Sequence, residues 1–305
     1  MSESSYSLTL DQENTQISEL LEHDIDIESL STCFIIPVHN EERTLTKCIT
    51  QALQQNLDNF EICTVLDRCT DRSEEIAESF SINKISKKNP PIGINPWGEV
   101  LRYGIDRTKS DVIVWLDADM ILPDGVVGKL IKHLGGKVAM ASCRFRSVEY
   151  GPLDKCMNIW NNPLLSRGGF KVILREAYED IGGLVDNYAC DTILDLKFIQ
   201  AGYEIYVDPE LTAKHDRPMT LRKWFNQWMR RGRGGHEIGY PVWYNLGRGF
   251  YCLSLIRKSI WFILLGPIAI IGLIIGLCQA DKSSKLNEKI VADHIRKRVR
   301  KVWKK

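Results

Sequence analysis

The sequence predicts an α/β fold: an open, mostly parallel, Rossmann-like sheet flanked by helices, followed by one strongly apolar helix. Three observations carry that expectation. Short runs of β-branched and apolar residues recur at 33–38 (CFIIPV), 61–66 (EICTVL) and 111–116 (DVIVWL), continuous enough to be buried on both faces of a parallel sheet. The first two runs start about thirty residues apart with a helical pattern between them, the length of a βαβ unit with its right-handed crossover. Each run also ends in polar or acidic residues, PVHNEE, DRCTD and DADMILPD. Ligands of such sheets sit outside the carboxyl ends of the strands, so three strand ends converge on one crevice.

The elements follow in order. Residues 1–31 read as a flexible acidic leader, with eight Asp or Glu and no Lys or Arg in the first thirty. No continuous apolar core marks a secretory signal there, which places the catalytic part in the cytosol. After CFIIPV, the segment EERTLTKCITQALQQ sets Leu45, Cys48, Ile49, Ala52 and Leu53 at helical spacing, with Asn40 available as its cap. EICTVL is the second strand, DRSEEIAESF a helix with Asp71 and Glu74 spaced as a capping box, and INKIS a short third strand. NPPIGINPWG is a loop, EVLRYGIDRT a short helix and DVIVWL the fourth strand. The nine cysteines are scattered, none in a CxxC pair, and read as reduced core thiols.

Beyond residue 216 the character changes. Residues 217–258 are basic and aromatic, a composition suited to helices at a membrane interface. Residues 259–280, SIWFILLGPIAIIGLIIGLCQA, carry no charge and are long enough to span a hydrocarbon core of ~30 Å. Gly266 and Pro267 interrupt the run, so it either crosses or turns back on itself. The tail 281–305 holds ten basic and three acidic residues, and one full crossing would put that charge on the unfavoured side. The protein is therefore expected at a membrane, with lipid as a partner. Forty basic against thirty-nine acidic residues give no whole-chain attraction to nucleic acid.

The chemistry sits in Asp117-Ala118-Asp119. Two carboxylates one residue apart at a strand end offer hard oxygen ligands to Mg²⁺ or Mn²⁺, which share their coordination with substrate phosphates. A bare triplet of this kind is more often a solvated acidic turn; its place after VIVWL favours a ligand site. Neither GxGxxG after the first strand nor GxxxxGK[ST] anywhere offers another account of the crevice.

Four segments, FIIPVHNEERTLTKCI, VLDRCTDRS, WLDADMILPDG and DNYACDTILDLKFIQAGYEI, resemble in order and spacing the family 2 glycosyltransferases of the GT-A fold, over residues 33–215. The resemblance implies a catalytic domain at 32–216 and a set of roles. Pro37, His39 and Glu41 border the nucleotide base, and Asp67 contacts it, although Leu66 and Arg68 leave only one Asp of the family's pair. Gly98 and Arg102 approach the nucleotide sugar. Asp117 and Asp119 match the DxD, with Asp119 the direct metal ligand and Asp117 nearer the ribose or sugar; His215 meets the metal or diphosphate. Asp191 corresponds to the general base, with Cys190 where the family has Glu. Gln227, Arg230 and Arg231 resemble the family's Q-x-x-R-W element with Arg in the Trp position, which argues against a processive synthase. The implied activity is inverting transfer of a sugar from a nucleotide-sugar donor, aided by a divalent metal, to an acceptor hydroxyl or phosphate. The aromatic and apolar C-terminal segments point to a polyprenyl-phosphate-linked acceptor.

Two other function classes stay in view. A catalytically inactive GT-A membrane scaffold would keep the fold and lose the carboxylates, yet Asp67, Asp119 and Asp191 are all present. A metal-dependent nucleotidyltransferase calls for a glycine-rich basic loop after the first strand, where this chain has HNEERT.

Overall fold

Thr32–Val38 (β1) lies inside the sheet and is buried along its whole length, as an uninterrupted apolar run requires. It pairs in parallel with Phe60–Asp67 (β2) on one side and Val112–Leu116 (β4) on the other, while Asn83–Lys87 (β3) forms the edge beside β2. Met120–Ile121 (β5), Val138–Ser147 (β6), Phe170–Leu174 (β7) and Glu204–His215 (β8) complete an eight-stranded sheet of order β3-β2-β1-β4-β7-β6-β8-β5. This computed structural model describes residues 29–90, 92–161, 166, 168–280 and 295, so the acidic leader before residue 29 and, Ile295 apart, the tail 281–305 lie outside the described residues.

The expected α/β fold is present, and four of the seven strand pairings among the described residues are parallel, so the sheet is mostly parallel with antiparallel members. β7 runs antiparallel to both β4 and β6, and β5 antiparallel to β8, whereas β6 and β8 are parallel. Repeated βαβ spacing specifies only the half built from β1 to β4; the other pairings join segments remote in sequence, with no spacing signature.

Helices cover both faces. Leu45–Leu53 (α1) and Val126–Ile131 (α4) seal one, through Leu45, Ile49, Val126 and Leu130. Pro96–Ile105 (α3), Arg175–Asp180 (α6) and Cys190–Gln200 (α7) seal the other through Leu101, Tyr178, Leu194 and Phe198, with Ser73–Glu78 (α2) near the β2 edge. Two caps differ from expectation. Thr44, not Asn40, precedes α1; Asn40 is left-handed at φ 57° and its side-chain oxygen accepts from Thr70 N at 2.8 Å. Asp71 does not pair with Glu74 but accepts from Ser73 N and Glu42 N, each at 3.0 Å, tying the loops after β1 and β2 together.

The C-terminal helices build a core of their own. Pro152–Trp160 (α5), Leu221–Glu237 (α8), Val242–Ser254 (α9) and Phe262–Cys278 (α10) enclose Met157, Trp224, Trp228, Cys252, Phe262 and Leu273. Trp224 Nε1 donates to Leu265 O at 3.1 Å, and glycines let α8 and α10 touch backbone to backbone. A methyl group on Gly232 would collide with Leu273 O, and one on Gly276 with Met229 O.

The membrane-helix expectation is corrected here. The charge-free run at 259–280 yields a 17-residue helix, about 26 Å at 1.5 Å per residue, against a hydrocarbon core of ~30 Å. No helix among the described residues is long and apolar enough to cross a membrane. Nor does the run turn back: α10 continues through Gly266 and Pro267. Its apolar character on the buried side is spent on protein, since Leu265, Ala269, Leu273 and Gly276 pack inward. Of the expected interface aromatics, Tyr240 and Tyr244 are buried as well, while Trp243 and Phe250 are exposed.

Candidate active site

The site is assembled where β4 ends. Asp117 N donates to Gly169 O at 2.8 Å and Met120 N to Asp117 O at 3.0 Å, so the chain turns at Asp-Ala-Asp before β5 begins. β5 then pairs with the end of β8, Met120 opposite His215, and Asp216 N donates to Asp119 O at 2.7 Å. That register fixes His215 Nε2 3.0 Å from Asp119 Oδ2. Asp119 is nearly inaccessible, and Arg217 Nε reaches the same oxygen at 2.6 Å. Arg217 also pairs with Glu41 at the end of β1, so one guanidinium joins two of the expected site carboxylates.

The two aspartates of the triplet are unequal. Burial and the neighbouring Asp119 charge push the Asp117 carboxyl up to about 7, while Trp115 Nε1 donates to its Oδ1 at 3.1 Å. Burial pushes Asp119 up too, but His215 and Arg217 outweigh it and leave that carboxyl below its ordinary value. Arg217 was not singled out in sequence. It lies two residues past the last residue of β8 and reaches the same carboxylate as His215.

Residues on the base side are held by local structure. His39 Nδ1 lies 2.6 Å from Asp67 O, so the loops after β1 and β2 meet. Asp67, nearly inaccessible, accepts Nε and Nη2 of Arg68 at 2.9 and 2.7 Å; Arg68 is left-handed at φ 48° to make that pair. Pro37 is buried opposite Val65 in the sheet, and Glu41 joins His39 in a charged cleft of about 380 Å³ with Arg43 and Arg217. Gly98 is buried on the first turn of α3, where Asn95 accepts from its N–H at 3.3 Å, and a side chain there would crowd Cys190. Arg102 is exposed on the last turn of α3 and lines neither this cleft nor the larger cavity.

Asp191 opens α7. Its Oδ1 accepts from Thr192 N at 2.8 Å and its Oδ2 from Gly168 N at 3.2 Å, which orients the carboxylate at the helix start. Cys190 is buried beside it, its Sγ accepting from Asn95 Nδ2 at 3.2 Å, and burial raises its thiol well above the ordinary range. A cavity of about 1030 Å³ brings Asp117, Asp191 and His215 together with Gln227, Arg230 and Arg231 of α8. Trp160 and Asn161 at the end of α5, and Tyr188 and Trp243, complete walls that sequence reasoning missed because the elements are remote in the chain.

A divalent cation was expected on Asp117, Asp119 and His215. Among the described residues no group of three His, Cys, Asp or Glu side chains converges as a ready cation cage. The donor set nonetheless fits a cation that completes its shell with substrate oxygens: Asp119 and His215 present an oxygen and a nitrogen 3.0 Å apart, and the Asp117 carboxyl lies beside the Asp119 charge, which together with burial raises it.

Known proteins resemble this chain in sequence and in fold. The profile described as glycosyl transferase family 2 matches residues 33–188, just over half of the chain. A probable glycosyltransferase, YdaM, of Bacillus subtilis is 27% identical over 235 residues, 67% of this chain and 55% of that protein. A poly-beta-1,6-N-acetyl-D-glucosamine synthase of Staphylococcus epidermidis is 23% identical over 70% of this chain and 56% of its own. The chain thus spans about half the length of these relatives. Among solved structures, the mannosyltransferase PcManGT of Pyrobaculum calidifontis, in complex with GDP-Man and Mn²⁺, superposes with a TM-score of 0.54 at 16% identity, covering 97% of this chain and 88% of its own. The glucosyl-3-phosphoglycerate synthase of Mycobacterium tuberculosis, with Mn²⁺, UDP and phosphoglyceric acid, gives 0.51 at 17% identity over 77% and 81%. These likenesses bear on the fold.

Proposed function

Because the chain belongs to glycosyl transferase family 2, we propose that it moves a sugar from a nucleotide-sugar donor to an acceptor hydroxyl or phosphate, with inversion and with Mg²⁺ or Mn²⁺ as cofactor. One observation carries the reading: Asp191, the candidate base from the start of α7, lines the same cavity as Asp117 and His215 from the strand ends. A base on the acceptor side and a cation-binding edge on the donor side are what an in-line displacement at a sugar carbon needs. The donor's base lies against Pro37, His39, Glu41 and Asp67, and its diphosphate against Asp119, His215 and Arg217. A divalent cation held by Asp119 and His215, with Asp117 beside it, supplies charge neutralisation for the leaving diphosphate.

Asp191 accepts the hydroxyl proton; Gly168 N and Thr192 N hold its carboxylate for that task. Transfer is of single sugars, a reading supported by Arg231 standing where the family's processive members have Trp. The acceptor is lipid-linked, of polyprenyl-phosphate type, and the partner surface is lipid. Support comes from the outer face of α10, where Ile263, Leu264, Ile271 and Ile274 are exposed, and from exposed Trp243 lining the cavity. The decisive experiment screens UDP-, GDP- and dTDP-sugars for metal-dependent thermal stabilisation and then turnover, in the native chain and in Asp119→Ala. Equal turnover by the two proteins would overturn the reading.

A further inference from the structure

A buried charge that the proposed chemistry does not use lies beneath the site. Lys171 stands in β7 directly opposite Trp115 of β4, and its side chain is wholly buried. Its neighbours Phe170, Val172 and Ile173 are the apolar residues that an inner strand calls for. Taking an ammonium out of water is costly, so position 171 breaks the pattern of its own strand. Breaks of this kind concentrate at functional sites.

The partners of that ammonium surround the site. Lys171 Nζ donates to Asp195 Oδ1 at 2.5 Å and to Ser166 Oγ at 2.6 Å, and it lies 5.8 Å from the centre of the Trp115 ring. Asp195 stands at i+4 from Asp191 on α7, so the two carboxylates share one face of the helix, a turn apart. Trp115 in turn donates from Nε1 to Asp117 Oδ1 at 3.1 Å. Ser166 lines the large cavity together with Gly168, whose N–H donates to Asp191 Oδ2 at 3.2 Å. Gly169, at φ 107°, offers its carbonyl to Asp117 N at 2.8 Å. Between Gly168 and Lys171 the chain thus grips Asp191, Asp117 and Asp195 in turn.

Apolar packing alone fixes such a junction poorly. Leu194 and Phe198 hold α7 on the sheet, but hydrophobic contact is non-directional and lets a helix slide by a fraction of an ångström at little cost. A charge-assisted hydrogen bond is short and directional, and breaking it would leave a charge uncompensated in the core. The Lys171–Asp195 pair therefore sets where the first turns of α7 stand against β7, and with them the distance from Asp191 to the strand ends. The residues expected at the donor's base belong to the ends of β1 and β2, on the far side of β4 from β7, so this pair lies apart from them.

We infer that Lys171, through Asp195 and Ser166, is a positioning residue for the transfer: it holds Asp191 at its working distance from Asp117 and is not needed for donor binding. This rests on the transferase reading. A pair kept for stability alone gains little from its charges, since exchanging a buried ion pair for apolar side chains of like volume is often neutral or stabilising. Its value to the reaction is the fixed distance, because displacing a reacting group by about 1 Å costs about 10²-fold in rate.

The test is steady-state release of nucleoside diphosphate by the full chain from UDP-glucose, UDP-N-acetylglucosamine and GDP-mannose with Mn²⁺, water and octyl glucoside serving as acceptors. Lys171→Met alone leaves Asp195 without this cation and melts lower than the native protein. The double variant Lys171→Met/Asp195→Leu removes both charges and melts close to native, yet its kcat falls about 10²-fold while the donor KM stays within about twofold. In an Asp191→Asn background the same two substitutions cost no further turnover, because nothing is left to position. Ser166→Ala keeps the ion pair, lowers kcat about tenfold at unchanged donor KM, and serves if the double variant does not fold. Native kcat in the folded double variant or in Ser166→Ala, a loss confined to KM, or a full further loss in the Asp191→Asn background overturns the inference. Failure of the native protein to turn over any of these donors would instead sink the transferase reading, and the inference with it.

Discussion

The two cavities of this molecule handle polarity in opposite ways. In the smaller cleft and just behind its wall, charge answers charge: Arg217 of the lining joins Glu41 to Asp119, while Arg43 of the lining and Lys47 lie within 4 Å of Asp216, at 3.5 and 3.8 Å. In the larger cavity, Asn161 Oδ1, Gln227 Oε1 and Trp160 Nε1 are buried without a hydrogen-bond partner among the described residues. Ion pairs form where opposite charges come within reach, because Coulomb attraction is undirected. Hydrogen bonds demand a partner at the right angle and distance, so a buried neutral group is more easily left unmatched than a charged one.

The sharpest way to break this comparison is Asp191→Asn. Turnover falls about 10³-fold, within the range of general-base catalysis, while stabilisation by the donor nucleotide is kept. Unchanged turnover in an assay of released nucleoside diphosphate would mean that the larger cavity is not where the acceptor reacts. Next in size, Asp119→Ala lowers turnover about 10²-fold and removes the metal dependence of nucleotide-induced stabilisation, since its partner His215 keeps only one donor for the ion. Persisting metal dependence would shift the cation-binding role away from the end of β4.

A structural effect follows. Gly276→Leu forces side-chain atoms into the Met229 carbonyl of α8 and destabilises by about 1–3 kcal/mol, read in the urea midpoint. An unchanged midpoint would show that α10 does not pack on α8 in solution. The smallest effect concerns pH. Asp117 is pushed up to about 7 from an ordinary 3.8, so its contribution to stability is complete below the lower value and is lost as pH rises through the higher one. The metal-free protein therefore loses melting temperature between roughly pH 5 and 8 more steeply than Asp117→Asn does. Parallel profiles would place the Asp117 proton elsewhere.

The smaller cleft and the parallel half of the sheet were legible in the sequence because their information is local. A βαβ spacing fixes β1, β2 and β4, and each strand end carries its own polar residues, so His39, Asp67 and Asp119 could be named from contiguous motifs. The larger cavity was legible only in part: Asp191, Gln227, Arg230 and Arg231 were named, but Trp160, Tyr188 and Trp243 were not, since they come from different elements whose meeting depends on the antiparallel pairings and on α8 packing against α10. The charge-free run misled for a physical reason: apolarity on every face reads as a membrane span, yet three glycines let this helix bury one side against protein backbone instead. His215 was named in sequence and Arg217 was not, because Arg217 lies past the end of β8, where no periodicity aims it at Asp119.

Arg217 also bears on the life of the chain before any substrate arrives. Clustered carboxylates repel, and a protein that relied on a captured ion to quiet them would fold only where that ion was plentiful. With a guanidinium on Asp119 and Glu41, the newly made polypeptide carries its own counterweight. Folding then needs no captured ion to quiet these carboxylates, whichever cation the proposed reaction uses.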